Sequence, residues 1–325
     1  MPCFLVGYDA EDRVFLMIRR ARDLIAVAVM AIVTLVLAGC TRPGNSNAGD
    51  RPVKTVTDDL GRQVTVPAKI DRAISLAPSV TENVFAVGAG DRLVGVTTFC
   101  NYPEQAKSIA KIGDTMTPNM ETIVALKPDI VLVSSASQLE SFTKTLERNG
   151  IAVYVMNPIG PLGIMRNLTQ LGEIFGTQSI AASLVEDLTK RINAVAGRVG
   201  VLSDHRTRPV SVFVQISKEP LFTIGAESHL NEWLFTAGGI SATENIKTAY
   251  PKLSKETASV LDPKVIILSD SEDNREPNEA FKNSPAVMNG RVYKVNADIL
   301  SRPGPRLVDA LEEIARDLHP EAFQN

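Results

Sequence analysis

Two glutamates recur in matching frames. Glu121-Thr122-x-x-x-Leu126-x-Pro128 precedes the apolar run Ile130-Val131-Leu132-Val133-Ser134, and Glu256-Thr257-x-x-x-Leu261-x-Pro263 precedes Val265-Ile266-Ile267-Leu268-Ser269. Asn119 and Ser254 stand where helix N-caps belong, so each carboxylate falls near the second helical residue, complementing the helix macrodipole by about 0.3–1 kcal/mol. The same placement has a second use, as two exposed carboxylates forming a symmetric docking pair for a twofold partner. The spacing alone leaves both uses open.

Other chemistry-bearing residues form no catalytic constellation. His205, His229 and His319 are scattered, which argues against a histidine-rich transition-metal site. Cys3, Cys40 and Cys100 make neither a zinc motif nor a disulfide framework. Gly88-Ala89-Gly90 ends a helix and leads into a strand, the reverse of a dinucleotide loop, and reads as a helix C-cap. Asp58-Asp59 reads as a turn, and Asp270, Glu272 and Asp273 as a solvated acidic loop. There is no Gly-x-Ser-x-Gly elbow, phosphate-cradling Gly-Lys-Thr/Ser loop or His-Glu-x-x-His pair. The expectation is a protein that is not an enzyme and carries no cofactor. With 34 basic against 37 acidic residues and a net charge of −3, nucleic acid is no expected partner.

The elements that must position the glutamates follow from the apolar pattern. Val53 to Val66 alternates around Asp58-Asp59-Leu60-Gly61-Arg62, as a hairpin does. Short apolar strands at 73–77, 93–96, 130–133 and 151–155 alternate with helices, and so do strands at 210–214, 265–268 and 292–295, ahead of a final helix over 305–318. This is an α/β pattern of parallel sheets covered on both faces. Between the two sets, residues 162–199 carry apolar residues at helical spacing, with a break at Gly176-Thr177. Glu82-x-x-Phe85-x-x-Gly88 is echoed by Glu232-x-x-Phe235-x-x-Gly238, so a helix-to-strand unit occurs twice. Two similar lobes flanking a cleft are expected, with Trp233 in the core. The boundaries read 55–160 for the first lobe, 161–204 for the connecting helices and 205–325 for the second lobe.

The N-terminus has a different character. Arg19, Arg20 and Arg22 precede an apolar run from Leu24 to Ala38 that as a helix rises roughly 23 Å, short of the ~30 Å hydrocarbon core. That describes an export signal over residues 1–39, with Met17 as an alternative start, rather than a membrane span. Leu37-Ala38-Gly39-Cys40 resembles the lipobox of bacterial lipoproteins, which implies cleavage before Cys40 and a lipid on its thiol. Residues 40–54 then supply the lipidated cysteine and a small, polar tether. The expected location is the cell envelope or periplasm, with membrane contact through the lipid only.

Five further segments carry a resemblance to a known family. They are Thr55-Val56-Thr57-Asp58-Asp59-Leu60-Gly61-Arg62, Ile74-Ser75-Leu76-Ala77-Pro78-Ser79-x-Thr81-Glu82, Asn101-Tyr102-Pro103-Glu104, Asn119-Met120-Glu121-Thr122-Ile123-x-Ala125-Leu126-Lys127-Pro128-Asp129 and Arg302-Pro303-Gly304-Pro305-Arg306-Leu307. Together they resemble the periplasmic-binding family that delivers vitamin B12 and ferric siderophores to ABC importers, the corrinoid branch above all. The resemblance implies two αβ lobes joined by a single long helix, small lobe motions on ligand binding, a monomer, and a permease dimer as partner. It implies that Glu121 and Glu256 meet arginines of that permease. Phe99 and Tyr250 fall where the corrinoid binders have ring-facing aromatics, with ordinary interlobe packing as the other reading. Arg302 is placed to contact ligand oxygens or to salt-bridge a neighbouring loop. Thr115, Ser135 and Ile216 fall near places where those binders carry tryptophans, which leaves the cargo open between a corrinoid and a ferric siderophore. A scaffold or adhesion lipoprotein on the same fold is the alternative from another class.

Overall fold

The structure is a computed structural model and describes residues 51–134, 139–200 and 209–324. The signal, Cys40, the tether up to residue 50, Ser135 and His205 lie outside the described residues. Val53–Thr57 (β1) and Gln63–Pro67 (β2) form the expected antiparallel hairpin. Its turn is closed by Asp58, whose Oδ1 accepts the backbone N–H groups of Leu60 and Arg62 at 3.0 and 2.9 Å.

The first lobe continues with Ala73–Ser75 (β3), Pro78–Ala86 (α1), Leu93–Val96 (β4), Met120–Ala125 (α2), Ile130–Ser134 (β5), Leu139–Arg148 (α3) and Ala152–Met156 (β6). Its strands form a parallel sheet in the order β4-β3-β5-β6. The connector is Gly160–Phe175 (α4) followed by Gln178–Val199 (α5). It runs as two consecutive helices because Gly176 adopts φ +73°, a left-handed conformation that ends α4. This is the break that Gly176-Thr177 marks in the sequence.

The second lobe contains Val210–Ser217 (β7), Phe222–Thr223 (β8), Leu230–Thr236 (α6), Gly239–Ser241 (β9), Lys255–Ser259 (α7), Val265–Asp270 (β10), Pro285–Met288 (α8), Val292–Asn296 (β11), Ala297–Ser301 (α9) and Leu307–Leu318 (α10). Strands β11, β10, β7 and β9 run parallel, and β8 joins β7 antiparallel.

Strand alternation divides the interior into three cores. Ile130 and Leu132 of β5, Val212 and Val214 of β7, and Val265 and Ile267 of β10 face one continuous core that includes Leu168, Leu171 and Leu188 of the connector. The intervening residues point the other way: Val131 and Val133 into a core private to the first lobe, Phe213, Ile266 and Leu268 into one private to the second. Each fully buried aliphatic side chain contributes about 1.5–3 kcal/mol, so the shared core binds both sheets to the connector. Trp233 lies within it, 3% exposed. No helix among the described residues is long and apolar enough to cross a membrane.

Candidate functional site

A cleft of about 800 Å³ opens where the carboxyl ends of strands from both sheets converge. Ala77 follows β3, Ser134 ends β5 and Met156 ends β6 on one side; Ile216 and Ser269 lie near the ends of β7 and β10 on the other. In parallel α/β sheets this is where the chain leaves the sheet and loop side chains are free to meet a ligand. Phe99, Thr115, Ile216, Tyr250 and Arg302 all line this one cleft. Phe99 is 61% exposed and Tyr250 44%, so neither ring is consumed by interlobe packing. Thr115 and Ile216 are half-buried beside them.

Arg302 is different. It is 8% exposed and occupies the C-cap of α9. Its Nη1 donates to Glu82 Oε1 at 2.8 Å and to Asn101 Oδ1 at 2.6 Å, while Nη2 pairs with Asp298 Oδ1 at 2.8 Å. Arg306 adds two bonds to the same glutamate, Nε to Oε2 at 2.8 Å and Nη2 to Oε1 at 2.6 Å, and its guanidinium lies 4.0 Å above the Tyr102 ring. Of the two roles open to Arg302, the structure displays the ion pair. Glu82 belongs to α1 and the arginines to the far end of the chain, so this network, buried at Glu82 and Arg302 and open at Asp298 and Asn101, forms a seam across the two lobes. Two carboxylates balance two guanidiniums, the arrangement under which buried charge is tolerated. Close backbone approach tightens the seam: Asn83 Nδ2 donates to the Pro303 carbonyl at 3.2 Å, and a Cβ at Gly304 would lie 2.8 Å from Asn83 Oδ1.

A second polar pair lines the cleft beside Tyr250. His229 Nε2 lies 3.2 Å from the Leu300 carbonyl oxygen, which only accepts, so that nitrogen carries the ring proton. Burial holds the imidazole below the usual histidine range, against the opposing pull of the Leu300 carbonyl. Nδ1 of the neutral ring therefore offers a lone pair, and the Tyr250 hydroxyl, 3.1 Å away, donates to it. Burial also pushes the Tyr250 phenol up, with the Ser228 side chain hydrogen-bonding in the opposite sense.

Glu121 and Glu256 are exposed at the second positions of α2 and α7, as the spacing predicts. Asn119 accepts the Thr122 N–H at 3.0 Å and Ser254 the Thr257 N–H at 3.1 Å, so both caps form. Hydrogen bonds from its own backbone N–H and from the Ser254 side chain hold Glu256 below the usual carboxylate range. Thr115 and Tyr250 stand at equivalent places, each six residues before its glutamate, and both line the cleft. Cys100, the free cysteine among the described residues, is buried behind the cleft with Sγ 3.1 Å from the hydroxyls of Thr81 and Thr97. Sequence reasoning missed Glu82, Asn101, Asp298, Arg306 and His229. The legible signal was an acidic residue at the centre of helix α1, between Thr81 and Asn83, and the pair Arg302-x-x-x-Arg306.

Comparison with known proteins agrees with this architecture. The chain is 30% identical over 309 residues to an uncharacterized ABC transporter substrate-binding lipoprotein of Bacillus subtilis, covering 91% of this chain and 97% of that one. It is 30% identical over 251 residues to the vitamin B12-binding protein of Vibrio cholerae, covering 76% and 89%. The crystal structure of the periplasmic vitamin B12 binding protein of Vibrio cholerae superposes with a TM-score of 0.68 at 28% identity, covering 80% of this chain and all of that one. The family model for periplasmic binding proteins matches residues 74–299, from strand β3 to helix α9, and the chain belongs to that family.

Proposed function

We propose that this protein is the substrate-binding lipoprotein of an ABC importer, that it captures a corrinoid in the interlobe cleft, and that it delivers the corrinoid to a permease dimer. The observation that carries the reading is the cleft itself: about 800 Å³, with the exposed rings of Phe99 and Tyr250 beside the half-buried Thr115 and Ile216. Flat aromatic surfaces suit a large macrocycle through dispersion and stacking, and a cavity of this size is in the range of small-molecule sites. The similarity to vitamin B12-binding proteins supports the same cargo. Arg302 serves the site through the seam that sets the cleft wall. Cys40 carries the lipid, the tether lets a monomeric receptor range above the membrane, and Glu121 and Glu256 dock on a basic residue of each permease subunit.

Calorimetric titration of the full chain with cyanocobalamin, cobinamide, a ferric hydroxamate and a ferric catecholate tests the cargo. Calorimetry is preferable to fluorescence because Trp233, the lone tryptophan, is buried in the core and does not line the cleft. Micromolar or tighter binding of a corrinoid, with weaker binding of both iron chelates, is expected; binding of an iron chelate alone transfers the reading to a siderophore receptor. Glu121→Lys combined with Glu256→Lys is expected to abolish uptake while ligand affinity stays unchanged, and a loss of affinity would refute the docking role.

A further inference from the structure

The loop after β10 reads in the sequence as a solvated acidic stretch, and most of it is one: residues 271–273 and 275–276 are exposed. Asn274 and Asn278 turn inward, each 1% exposed, and meet the fully buried Gln215 of β7. The three carboxamides fix one another's orientation. The backbone N–H of Asn278 only donates, so Gln215 Oε1 faces it at 2.8 Å. Gln215 Nε2 then donates to the Glu276 carbonyl at 2.9 Å and to Asn274 Oδ1 at 2.6 Å. That leaves the Asn274 NH2 turned to three carbonyl oxygens, of Gln215 at 2.9 Å, Ile216 at 3.3 Å and Ser269 at 2.8 Å. An aspartate would face the same three acceptors with no donor to offer.

Those carbonyls stand where the sheet gives out. The pairing of β7 with β10 ends at Gln215 and Leu268, although β7 runs on to Ser217 and β10 to Asp270. On its other side β7 meets β8 through an irregularity between Gln215 and Ser217. Ile216 therefore has no regular ladder partner on either side, and both Ile216 and Ser269 line the cleft. An interrupted ladder is a place where a sheet re-aims a side chain, and the new direction needs a restraint from elsewhere. We propose that Asn274 is the positioning residue for this wall. Its carboxamide bridges β7 and β10 where their ladder has stopped and sets the placement of Ile216 and Ser269. Gln215 and Asn278 hold the amide in its one working orientation. The inference rests on the cleft being the cargo site and adds the residue that shapes its second-lobe wall, from a position outside the cleft lining.

Four variants of the full chain test this by calorimetry with cyanocobalamin, at a temperature where circular dichroism shows each one folded. Asn274→Ser leaves a side chain too short to bridge the strands, and Asn274→Asp keeps the shape without the donors. Ile266→Ala, in the core private to the second lobe, lowers stability without touching the three carbonyls. Asn274→Ser is expected to weaken cyanocobalamin by about 3- to 10-fold, the scale of one hydrogen bond, Asn274→Asp by about 10-fold or more, and Ile266→Ala to bind as the parent does. In an Ile216→Ala background, Asn274→Ser is expected to cost less than about 2-fold, because the side chain it places is gone. Hydrogen exchange of the empty protein reads the wall without cargo: the amides of residues 215–217 and 269–270 are expected to exchange about 10-fold faster in Asn274→Ser, beyond any change in the rest of the sheet. Parent-like binding by both Asn274 variants, an equal loss in Ile266→Ala, or unchanged exchange at those amides overturns the inference. If Asn274→Asp does not fold, Asn274→Ser carries the test alone. If the parent chain binds no cyanocobalamin, the corrinoid reading falls on its own, and the exchange rates decide whether Asn274 sets the wall.

Discussion

Helices α1 and α6 are the two copies of one repeated unit, and they use the same acidic position in opposite ways. In α1, Glu82 is 4% exposed and receives three of the four guanidinium hydrogen bonds made within the seam to carboxylate oxygens of Glu82 or Asp298. In α6, Glu232 is exposed, and its side chain lies over Gly160, where a Cβ would collide with its carboxylate. The backbones agree: Gly88 and Gly238 follow the two helices with φ of +77° and +82°. A repeat therefore preserves the turn from helix to strand while the polar face of each copy is free to acquire its own partner. The first copy became an interlobe bond and the second a surface residue.

The largest expected effect separates the two glutamates. Glu82→Ala leaves Arg306 without a carboxylate and Arg302 with Asp298 alone, and is expected to cost about 3–5 kcal/mol in urea denaturation. Glu232→Ala is expected within about 0.5 kcal/mol of the parent, as for surface substitutions. Equal losses would mean that the seam contributes nothing beyond ordinary helix packing. The two glycines come next. Alanine at either left-handed position costs about 1–2 kcal/mol. At Gly238 the new Cβ would also sit 2.4 Å from Nε2 of the buried His319, against 2.7 Å from the flexible tip of the half-exposed Ile180 at Gly88. Gly238→Ala is expected to be the more destabilising of the two, and the reverse order would show that the ring of His319 moves aside. The smallest effect is expected at the caps: Asn119→Ala and Ser254→Ala each lose about 1 kcal/mol of thermal stability, and by similar amounts, because the two cap bonds match. A cap that cost nothing would break the equivalence of the two lobes.

Much of the frame was legible in the residues. Val131 and Val133 against Ile130 and Leu132 alternate because both faces of β5 are buried, and the repeat doubled that signal into two lobes. The N-caps were readable because Asn119 and Ser254 act on atoms three residues away. The five candidate cleft residues within the described chain do meet in one cleft, since the loops that follow parallel strands all leave the sheet on one side. The seam was not legible. Glu82 and Arg302 are 220 residues apart, and one sequence carries no record of which distant charges pair. The polarity of Tyr250 was hidden for a subtler reason: it depends on which His229 nitrogen faces Leu300, a matter of rotamer and burial rather than of residue type.

The shared core has a consequence for traffic at the membrane. Both sheets and the two connector helices press into one continuous apolar interior, and the seam ties the lobes a second time, so the distance between Glu121 and Glu256 is expected to change little if cargo binds in the cleft. Under the proposed function, an empty receptor then presents the same docking points as a loaded one. On that reading, empty molecules are expected to compete with loaded ones for the permease, and raising the abundance of this protein above that of its cargo is expected to slow import instead of speeding it.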